Sequence, residues 1–412
     1  MTTQASASLS LRFGLAFEDL YSPAGLAKLD QAFVERLKTA DVELFNQLMG
    51  ARAAPEALED KAESTLLIAL APIVEDFLGQ LFGVEREIAA LRERHSDLAP
   101  LYAVKRLFVQ RRAAKAVNAS TAAEIDGEDL ARQLTQLFGE AFTDELIFAR
   151  HVHRWMADEA AHKDELDLAA LYAGWALLSP AGKAKHRSGL LFKAPHKLDM
   201  EHLVPVETEV THGVTHMKLP DRQLRHREGF ALTDQGTDLR GALDQTNYCI
   251  WCHEQGKDSC SKGLKEKTGG FKKSHFGVPL AGCPLEEKIS EMNLLKSQGV
   301  ALGALAMVAV DNPMCAATGH RICNDCMKSC IYQKQEPVDI PQAETRTLKD
   351  VLDLPWGFEI YSLLTRWNPL HLARPFARPD SGYKVLVVGL GPAGFTLSHH
   401  LMNDGHTVVA VD

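Results

Sequence analysis

The chain contains neither a long apolar run nor an excess of basic residues. Its longest apolar runs, residues 66–74 and 300–310, are well short of the ~18 residues that a membrane-spanning helix requires. The formal net charge of −9 and the pI near 6.0 argue against a nucleic-acid-binding or membrane-surface protein, because both classes need a basic surface. The first residues also lack the basic and apolar regions of an export signal. We therefore expect no membrane span, no nucleic-acid partner and a cytoplasmic location.

Cysteine is missing from two long parts of the chain, residues 1–248 and residues 331–412. A secreted protein spreads its disulfides over a small domain, whereas cysteines grouped within a long chain are typical of metal binding or redox chemistry. The grouped cysteines therefore indicate a functional site. The predicted metal ligands are Cys249, Cys252, Cys260, Cys283, Cys315, Cys323, Cys326 and Cys330.

The first half of the chain has the pattern of an all-α protein. Apolar residues recur at steps of three and four between Leu66 and Leu91, as in a helix packed on a neighbour. The sequence SPAG occurs twice and predicts serine caps at Ser22 and Ser179, each followed by proline in the first turn. Further helices are predicted near residues 25–48, 97–118, 127–138 and 143–178.

A length of 412 residues with 46% hydrophobic residues is enough for more than one core. The predicted fold class is mainly α. We expect a helical domain of unknown role over residues 1–188, and a connecting region with short strands or loops over residues 189–244. Residues 346–382 are rich in proline and are interpreted as an irregular linker with one or two short helices.

Residues 383–412 predict a buried strand, a glycine-rich turn, a helix and a second strand that ends at Asp412. Gly389 permits the tight turn, Gly391 lets the backbone approach a pyrophosphate, and Gly394 lets the helix and the strand pack closely. Asp412 holds the position of the acidic residue that binds ribose hydroxyls. This context favours a dinucleotide-binding turn over an ordinary β-α-β turn.

The turn has the form GPAG, from Gly391, Pro392, Ala393 and Gly394, and this form resembles flavin-binding enzymes more than simple NAD dehydrogenases. FAD is therefore the predicted cofactor of the turn. A dinucleotide-binding fold needs several more strands than the two predicted here. We expect the first β-α-β unit of a truncated Rossmann-like FAD-binding domain over residues 383–412, in a chain cut from a longer flavoprotein. Such a fragment alone is not expected to turn over.

The eight cysteines supply the ligands of two four-ligand sites. A C-x2-C step occurs at Cys249 and Cys252 and again at Cys323 and Cys326. Two [4Fe-4S] clusters need eight soft ligands, and a C-x2-C step lets one loop bind two corners of a cluster. Two tetrahedral zinc sites satisfy the same count with the same step. The alternative to a redox protein is therefore a zinc-stapled scaffold or interaction protein without enzymatic activity.

Four further short motifs, in a fixed order along the chain, resemble those of a known protein family. Before the glycine turn, the chain carries in order Cys-Pro-Leu at 283–285, Asn-Pro at 312–313, Thr-Gly at 318–319 and Glu-Pro-Val at 336–338. With the cysteine triplet at 323–330, these elements resemble the iron–sulfur flavoproteins of the glutamate synthase small subunit type, which include the N-terminal part of dihydropyrimidine dehydrogenase. The resemblance covers roughly residues 245–412, and the first 240 residues lie outside it.

The resemblance implies a helical, ferredoxin-like domain with two [4Fe-4S] clusters over residues 245–345, followed by the FAD domain. In that family NAD(P)H reduces the flavin, and electrons pass singly through the clusters to an acceptor on another domain or subunit. The resemblance also implies a crossed ligand arrangement. Cys330 joins Cys249, Cys252 and Cys260, while Cys323 and Cys326 join Cys283 and Cys315.

The chain departs from the family's pattern between Cys260 and Cys283. An insertion of residues 261–282 separates two cysteines that are close together in the family's sequences. The insertion is basic and glycine-rich. It is interpreted as a solvated surface loop, and the alternative is a docking site for an acidic electron partner.

Overall fold

The computed structural model describes residues 11–224, 226–232 and 234–412. This part of the chain is mainly helical with two small sheets of two strands each, so the predicted mainly α class is confirmed at this level. The helices of the first half are α1 (Pro23–Ala40), α2 (Val42–Ala53), α3 (Asp60–Phe82), α4 (Glu85–Val104), α5 (Ala114–Ala116), α6 (Ala119–Glu124), α7 (Gly127–Phe138), α8 (Glu145–Met156), α9 (Lys163–Leu178) and α10 (Pro180–Lys185). The helices of the second half are α11 (Leu239–Tyr248), α12 (Ser259–Lys262), α13 (Ile289–Ser297), α14 (Ala301–Asp311), α15 (Cys315–Ile322), α16 (Asp325–Ser329), α17 (Ile340–Leu352), α18 (Gly357–Leu364) and α19 (Pro392–Asn403).

Two helices begin with the serine cap that the sequence predicts. The Ser22 hydroxyl accepts a hydrogen bond from the backbone N–H of Gly25 at 3.1 Å, and proline opens α1. The Ser179 hydroxyl caps α10 in the same way, through the N–H of Gly182 at 2.9 Å. Both predicted caps are confirmed, and α7 has the predicted bounds.

Three predicted helices are each divided into two, and the one near residues 143–178 is divided into α8 and α9. The segment near residues 25–48 breaks at Asp41, whose carboxylate accepts from the first backbone N–H groups of α2. The stripe from Leu66 to Leu91 breaks at Gly83, which has a φ of +69°. Aspartate at a helix start and left-handed glycine at a helix end are strong local signals. Here they override the continuous apolar pattern.

The first core joins the N-terminal helices to the region after residue 289. Helices α1, α2 and α3 pack there with α14, α17 and α18. At its centre the rings of Phe33, Phe77 and Trp367 lie 5.5–5.9 Å apart. The Trp367 indole N–H donates to Asp30 at 3.1 Å, and Arg52 pairs with the same carboxylate. The segment interpreted as a linker therefore contributes to this core, and the expected domain boundaries stay predictions.

The second core lies within the first half of the chain. It contains α7, α8 and α9 together with the end of α4 and a π-helical segment, Lys105–Ala113. The rings of Phe148, Tyr172 and Phe192 pack against one another at its centre. Leu243 of α11 is also buried here. Helix α11 thus connects the second core to the cysteine-bearing region that follows it.

Helix α3 is long and apolar enough to cross a membrane by length and composition alone. In the fold, 61% of its most apolar window is buried, and its apolar residues belong to the first core. A buried core helix has the same composition as a membrane span, so α3 is weak evidence for a membrane. The expectation of no span stays a prediction.

Both sheets lie where short strands were expected. Strands β1 (Glu207–Thr211) and β2 (Val214–Lys218) form an exposed antiparallel hairpin within the connecting region. Strands β3 (Lys384–Val388) and β4 (Thr407–Val411) pair in parallel, and α19 lies between them in the chain. The order of strand, helix and strand expected after residue 383 is therefore confirmed, whereas the expectation of a buried first strand is wrong, because only Val387 of β3 is buried. Parallel sheets are usually covered on both faces, yet Leu386, Val388 and Val409 of this pair are exposed.

Candidate functional site

Four of the predicted cysteine ligands come together in the fold. Cys249 follows α11, Cys252 opens a short 3-10 turn, Cys260 lies in α12, and Cys330 follows α16. All four are buried and line one small cavity. We call them the first thiol group. They are the set that the resemblance assigns to one cluster, and their role as ligands stays a prediction.

The backbone around Cys249 is held in an uncommon conformation. Trp251 has a φ of +52°, in the left-handed region that costs a non-glycine residue energy and that clusters at functional sites. Its backbone N–H donates to the Cys249 sulfur at 3.4 Å. The rings of Tyr248 and Tyr332 stack with their centroids 4.6 Å apart, and both rings pack against the first thiol group. These aromatic residues separate the sulfurs from solvent.

Burial disfavours the charged form of the thiols in this group. It raises the pKa of Cys249 to about 12 and the pKa of Cys252 to about 11. A side-chain hydrogen bond with Cys260 instead lowers the pKa of Cys330 to about 7. Metal binding requires deprotonated cysteine, so a cationic centre would offset the burial of these sulfurs. Four cysteine sulfurs around one cavity are the type of donor that a zinc or iron–sulfur centre uses.

The insertion between Cys260 and Cys283 leaves the two cysteines as neighbours. The backbone N–H of Cys283 donates to the carbonyl oxygens of Cys260 and Ser261 at 2.8 and 3.0 Å. Gly263 and Gly282 stand at the neck with φ values of +80° and +88°, and a Cβ at either position would overlap the opposite backbone. The neck therefore requires glycine at both positions. The inserted residues form a loop with two isolated β-bridges.

Cys283, Cys323 and Cys326 form a second thiol group. Cys283 interacts electrostatically with both of the other thiols. Burial raises the pKa of Cys283 to about 11 and raises that of Cys326 further, whereas Cys323 is exposed. The cysteine triplet is thus divided, because Cys330 lies in the first thiol group and the other two residues lie in the second.

Neither thiol group is arranged around a single metal ion. Among the residues that the structure describes, no three Cys, His, Asp or Glu side chains converge closely enough to hold one ion. A closed zinc site with Zn–S bonds of ~2.3 Å would place its sulfurs about 3.8 Å apart. An iron–sulfur cluster binds each cysteine at a different iron and so spreads its ligands more widely. The iron–sulfur and zinc alternatives for these thiols therefore both stay predictions.

Cys315 stands apart from both thiol groups. It is buried in the first core, whereas Cys249, Cys260 and Cys330 belong to a separate small cluster with Ile289 and Ile340. Its sulfur lies 3.8 Å from the Tyr361 hydroxyl. Burial raises the pKa of Cys315 to about 12, and the charges that act on it are those of Glu344 and Glu287. The described contacts of Cys315 therefore include no other thiol.

The sequence reasoning missed two buried carboxyl groups, Glu287 and Glu344. Their side chains share a hydrogen bond, and the Asn312 amide donates to Glu344 at 3.3 Å. Burial raises the pKa of Glu287 to about 7 and raises that of Glu344 well above its ordinary value. Both carboxyls act on Cys326 as well as on Cys315. Glu344 lies in α17, and no local spacing in the sequence connects it to the cysteines.

The glycine turn has the geometry that its sequence predicts. Gly389 has a φ of +93°, which favours glycine, and a Cβ at Gly394 would overlap the carbonyl oxygen of Gly389. Gly391 has open space within 4 Å of where a Cβ would lie. Pro392 opens α19 and Ala393 follows it. The Asp412 carboxylate accepts from the Leu390 backbone N–H at 3.0 Å, which fixes the end of β4 against the turn.

The open side of the turn fits a phosphate-bearing ligand. Gly391 precedes the first turn of α19, where free backbone N–H groups and the helix dipole favour an anion. The space beside Gly391 lets such a group approach the backbone. The residues present therefore fit the pyrophosphate of a dinucleotide, although its binding stays a prediction.

Known proteins are similar to this chain over different fractions of its length. A family model described as the RP005 N-terminal alpha-helical domain matches residues 11–83. Uncharacterized protein RP005 of Rickettsia prowazekii is 34% identical over 305 residues, which cover 70% of this chain and 99% of that protein. Uncharacterized protein RP006 of the same organism is 60% identical over 99 residues, which cover 24% of this chain and 14% of that protein. No solved structure matches the chain.

A third similarity connects the chain to an oxidoreductase subunit. The NADPH glutamate synthase small chain of Mycobacterium tuberculosis is 30% identical over 204 residues. The match covers 48% of this chain and 34% of that protein, so the chain spans about a third of its length. The predicted resemblance to the glutamate synthase small subunit has partial and weak support from this match.

Proposed function

The chain belongs to the family of the Rickettsia protein RP005, and we propose that it is the electron-transfer part of an FAD- and iron–sulfur-dependent NAD(P)H oxidoreductase. The observation that carries this proposal is the cavity lined by Cys249, Cys252, Cys260 and Cys330. Its thiols come from two distant parts of the chain, and a second thiol group lies beside it. The partial similarity to the glutamate synthase small chain supports the same chemistry.

In this proposal the first thiol group holds one [4Fe-4S] cluster, and the second thiol group holds another with Cys315 as its fourth ligand. Such clusters supply one-electron transfer when bound. The protein's own residues determine the surroundings. Burial of the four cysteines excludes water, and the Trp251 backbone N–H donates to the Cys249 sulfur. Hydrogen bonds to the sulfurs and low solvent exposure both tune the reduction potential of such a centre.

We propose that the glycine turn binds FAD. Gly391, Pro392, Ala393 and Gly394 form the edge against which the pyrophosphate would lie, and Gly389 provides the turn before them. Asp412 is positioned at the end of β4, where a ribose hydroxyl is bound in dinucleotide folds. Reduction of the flavin by NAD(P)H is proposed for the larger protein or assembly, because the chain spans 34% of the glutamate synthase small chain.

The insertion is proposed as the docking surface for the electron acceptor, a domain or subunit with an acidic face. Within the described part of the chain, Lys265, Lys267, Lys272 and Lys273 are exposed and have no ion-pair partner. Phe276 is exposed among them. Lys265 and Lys272 line the same cavity as Cys252 of the first thiol group. Complementary charge speeds the association of transient partners.

The metal content of anaerobically purified protein tests the proposed function. Two [4Fe-4S] clusters require about eight iron and about eight acid-labile sulfide per chain. Cys252→Ala should reduce both values, and the neighbouring buried Ser259→Ala should leave them unchanged. Stoichiometric zinc without sulfide would contradict the proposal and favour the zinc-stapled scaffold.

A further inference from the structure

A second polar cavity lies at the edge of the second core, in the part of the chain outside the cysteine region. It is bordered by the start of α8, the end of α9, the loop after α10 and the start of α11. The polar side chains that line it include Asp144, Glu145, Tyr172, His186 and Arg240. The proposed electron-transfer function uses none of them.

Glu145 is the most buried charged residue that lines this cavity. Only 8% of its surface is exposed. One carboxylate oxygen, Oε2, accepts from the backbone N–H groups of Leu190 and Leu191 at 2.7 and 3.0 Å. The other oxygen, Oε1, has no hydrogen-bond donor among the described residues. A buried acceptor without a donor costs about 1–3 kcal/mol, so Oε1 is a place where a donor from a ligand would be stabilising.

The histidine beside Glu145 does not supply that donor. His186 Nδ1 lies 3.9 Å from Glu145 Oε1, which is beyond hydrogen-bond distance. Its Nε2 shares a hydrogen bond with the Tyr172 hydroxyl at 2.9 Å. Burial lowers the pKa of His186 to about 4, so the ring carries no charge near neutral pH. The base of the cavity therefore presents one carboxylate oxygen without a hydrogen-bond donor beside a neutral ring.

The rim of the cavity has the opposite character. Arg240 is about one-third exposed, and its guanidinium lies 3.7 Å from Asp144 and 3.9 Å from Glu145, both longer than a hydrogen bond. Its Nε is buried and has no acceptor among the described residues. Lys185 also stands at the rim, where it pairs with Glu128. Arg240 is thus within ion-pair distance of two carboxylates, but its Nε has no acceptor and Glu145 Oε1 has no donor among the described residues.

We propose that this cavity binds a small zwitterion of the free amino acid class, with its ammonium group against Glu145 and its carboxylate against Arg240. An ammonium group carries three donors and can satisfy Oε1. The planar guanidinium of arginine offers two parallel donors to a carboxylate. Only a ligand with both groups satisfies the two unmatched atoms together. The proposal stands independently of the iron–sulfur function, because it rests on residues of the second core and α11.

The test uses the full chain with each of the common L-amino acids as the probe, first by thermal shift and then by calorimetry. We expect at least one amino acid to raise the melting temperature. Putrescine, which has amines without a carboxylate, and succinate, which has carboxylates without an amine, should give no shift. Binding of putrescine as tight as the best amino acid, or no shift with any amino acid, would overturn the proposal.

Two variants locate the site. Glu145→Gln keeps an oxygen for the Leu190 and Leu191 N–H groups but removes the charge, and Arg240→Gln removes the guanidinium at the partly exposed rim. Each should weaken binding by about tenfold or more. Glu159→Gln is the matched control on the surface of the same core, where Glu159 is exposed and pairs with Arg112. Circular dichroism confirms that the variants are folded. Unchanged affinity in both folded site variants would place the ligand elsewhere and reject this site.

Discussion

The backbone N–H of Cys283 donates a hydrogen bond to the carbonyl oxygen of Cys260 at 2.8 Å. The insertion of residues 261–282 therefore begins and ends at one place, and the two cysteines on either side of it remain neighbours. Gly263 and Gly282 permit this closed neck. A loop attached in this way can carry charged side chains without moving the cysteines, so its lysines are available for recognition.

Reversing the charge of the loop should slow electron transfer to an acidic acceptor. We expect the triple variant Lys265→Glu, Lys272→Glu and Lys273→Glu to reduce the rate from dithionite-reduced protein to an oxidised acidic ferredoxin by about tenfold at low salt, because electrostatic steering is lost. Stopped-flow absorbance measures the rate. The same variant should react faster with basic cytochrome c.

The control for this experiment reverses three lysines elsewhere, Lys38, Lys163 and Lys183, and should leave both rates unchanged. Iron and sulfide contents should be equal in all three proteins. Tight binding of the wild-type loop to anionic lipid vesicles, with no effect of the triple variant on the ferredoxin rate, would show that the loop does not recognise an acidic protein.

The division of the cysteine triplet predicts a pattern of spectroscopic changes. Cys330→Ala and Cys252→Ala should alter the same low-temperature EPR signal, because both residues line the first cavity. Cys326→Ala should alter the other signal. Loss of one thiolate leaves an iron open to another ligand and shifts that centre's potential without directly changing its neighbour. A common effect of Cys330→Ala and Cys326→Ala, with Cys252→Ala acting on the other signal, would contradict the division.

The fourth ligand of the second thiol group is tested by a pair of variants. In our proposal Cys315→Ala alters the same EPR signal as Cys326→Ala, and Glu344→Gln leaves the g values of that signal unchanged. If Glu344→Gln changes that signal and Cys315→Ala does not, Cys315 is not a ligand, and an oxygen of the Glu287–Glu344 pair is the fourth ligand instead. The two variants distinguish these ligands because, in the structure, Cys315 contacts Tyr361 rather than another thiol.

Local features of the fold could be read from the sequence, whereas contacts between distant segments could not. The caps at Ser22 and Ser179 depend only on the next few residues, and the glycine turn depends on a single strand and helix. The hydrogen bond between Asp30 and Trp367 joins the two ends of the first core. No periodicity encodes such a pair, so residues 346–382 were interpreted as a linker although Trp367 is fully buried. Glu344 was missed for the same reason.

Two glycines of the turn should respond differently to substitution. Gly394→Ala should lower the melting temperature of the β-α-β unit, because its Cβ would overlap the Gly389 carbonyl oxygen. Gly391→Val should lower the melting temperature less, because its side chain would face open space and only a favourable N-cap residue is lost. In a protein that completes the nucleotide-binding fold, Gly391→Val should nevertheless abolish FAD binding by blocking the pyrophosphate. Greater destabilisation by Gly391→Val than by Gly394→Ala, or full FAD content in Gly391→Val, would contradict the assignment.

The attachment of α19 to the rest of the protein should weaken in acid. His399 is buried, and its Nε2 accepts from the Asn403 amide at 2.9 Å, while the same amide donates to the Thr365 carbonyl at 3.0 Å. Burial, followed by the charges of His400 and Arg374, lowers the pKa of His399 from 6.5 to about 4. Protonation would remove the acceptor and place a charge in this buried contact.

The sign of the effect follows from proton binding. Between pH 6.5 and about 4 the unfolded chain binds a proton at His399 and the folded chain does not, so the free energy of unfolding falls as the pH is lowered through this window. His399 should account for about 1 to 2 kcal/mol of that fall. His399→Gln retains an acceptor oxygen for Asn403 but does not titrate, so thermal or urea unfolding at a series of pH values should show a shallower loss than in the wild type. The exposed His196→Gln serves as the control and should keep the wild-type slope. Equal slopes for His399→Gln and the wild type would show that His399 does not link the docking of α19 to pH.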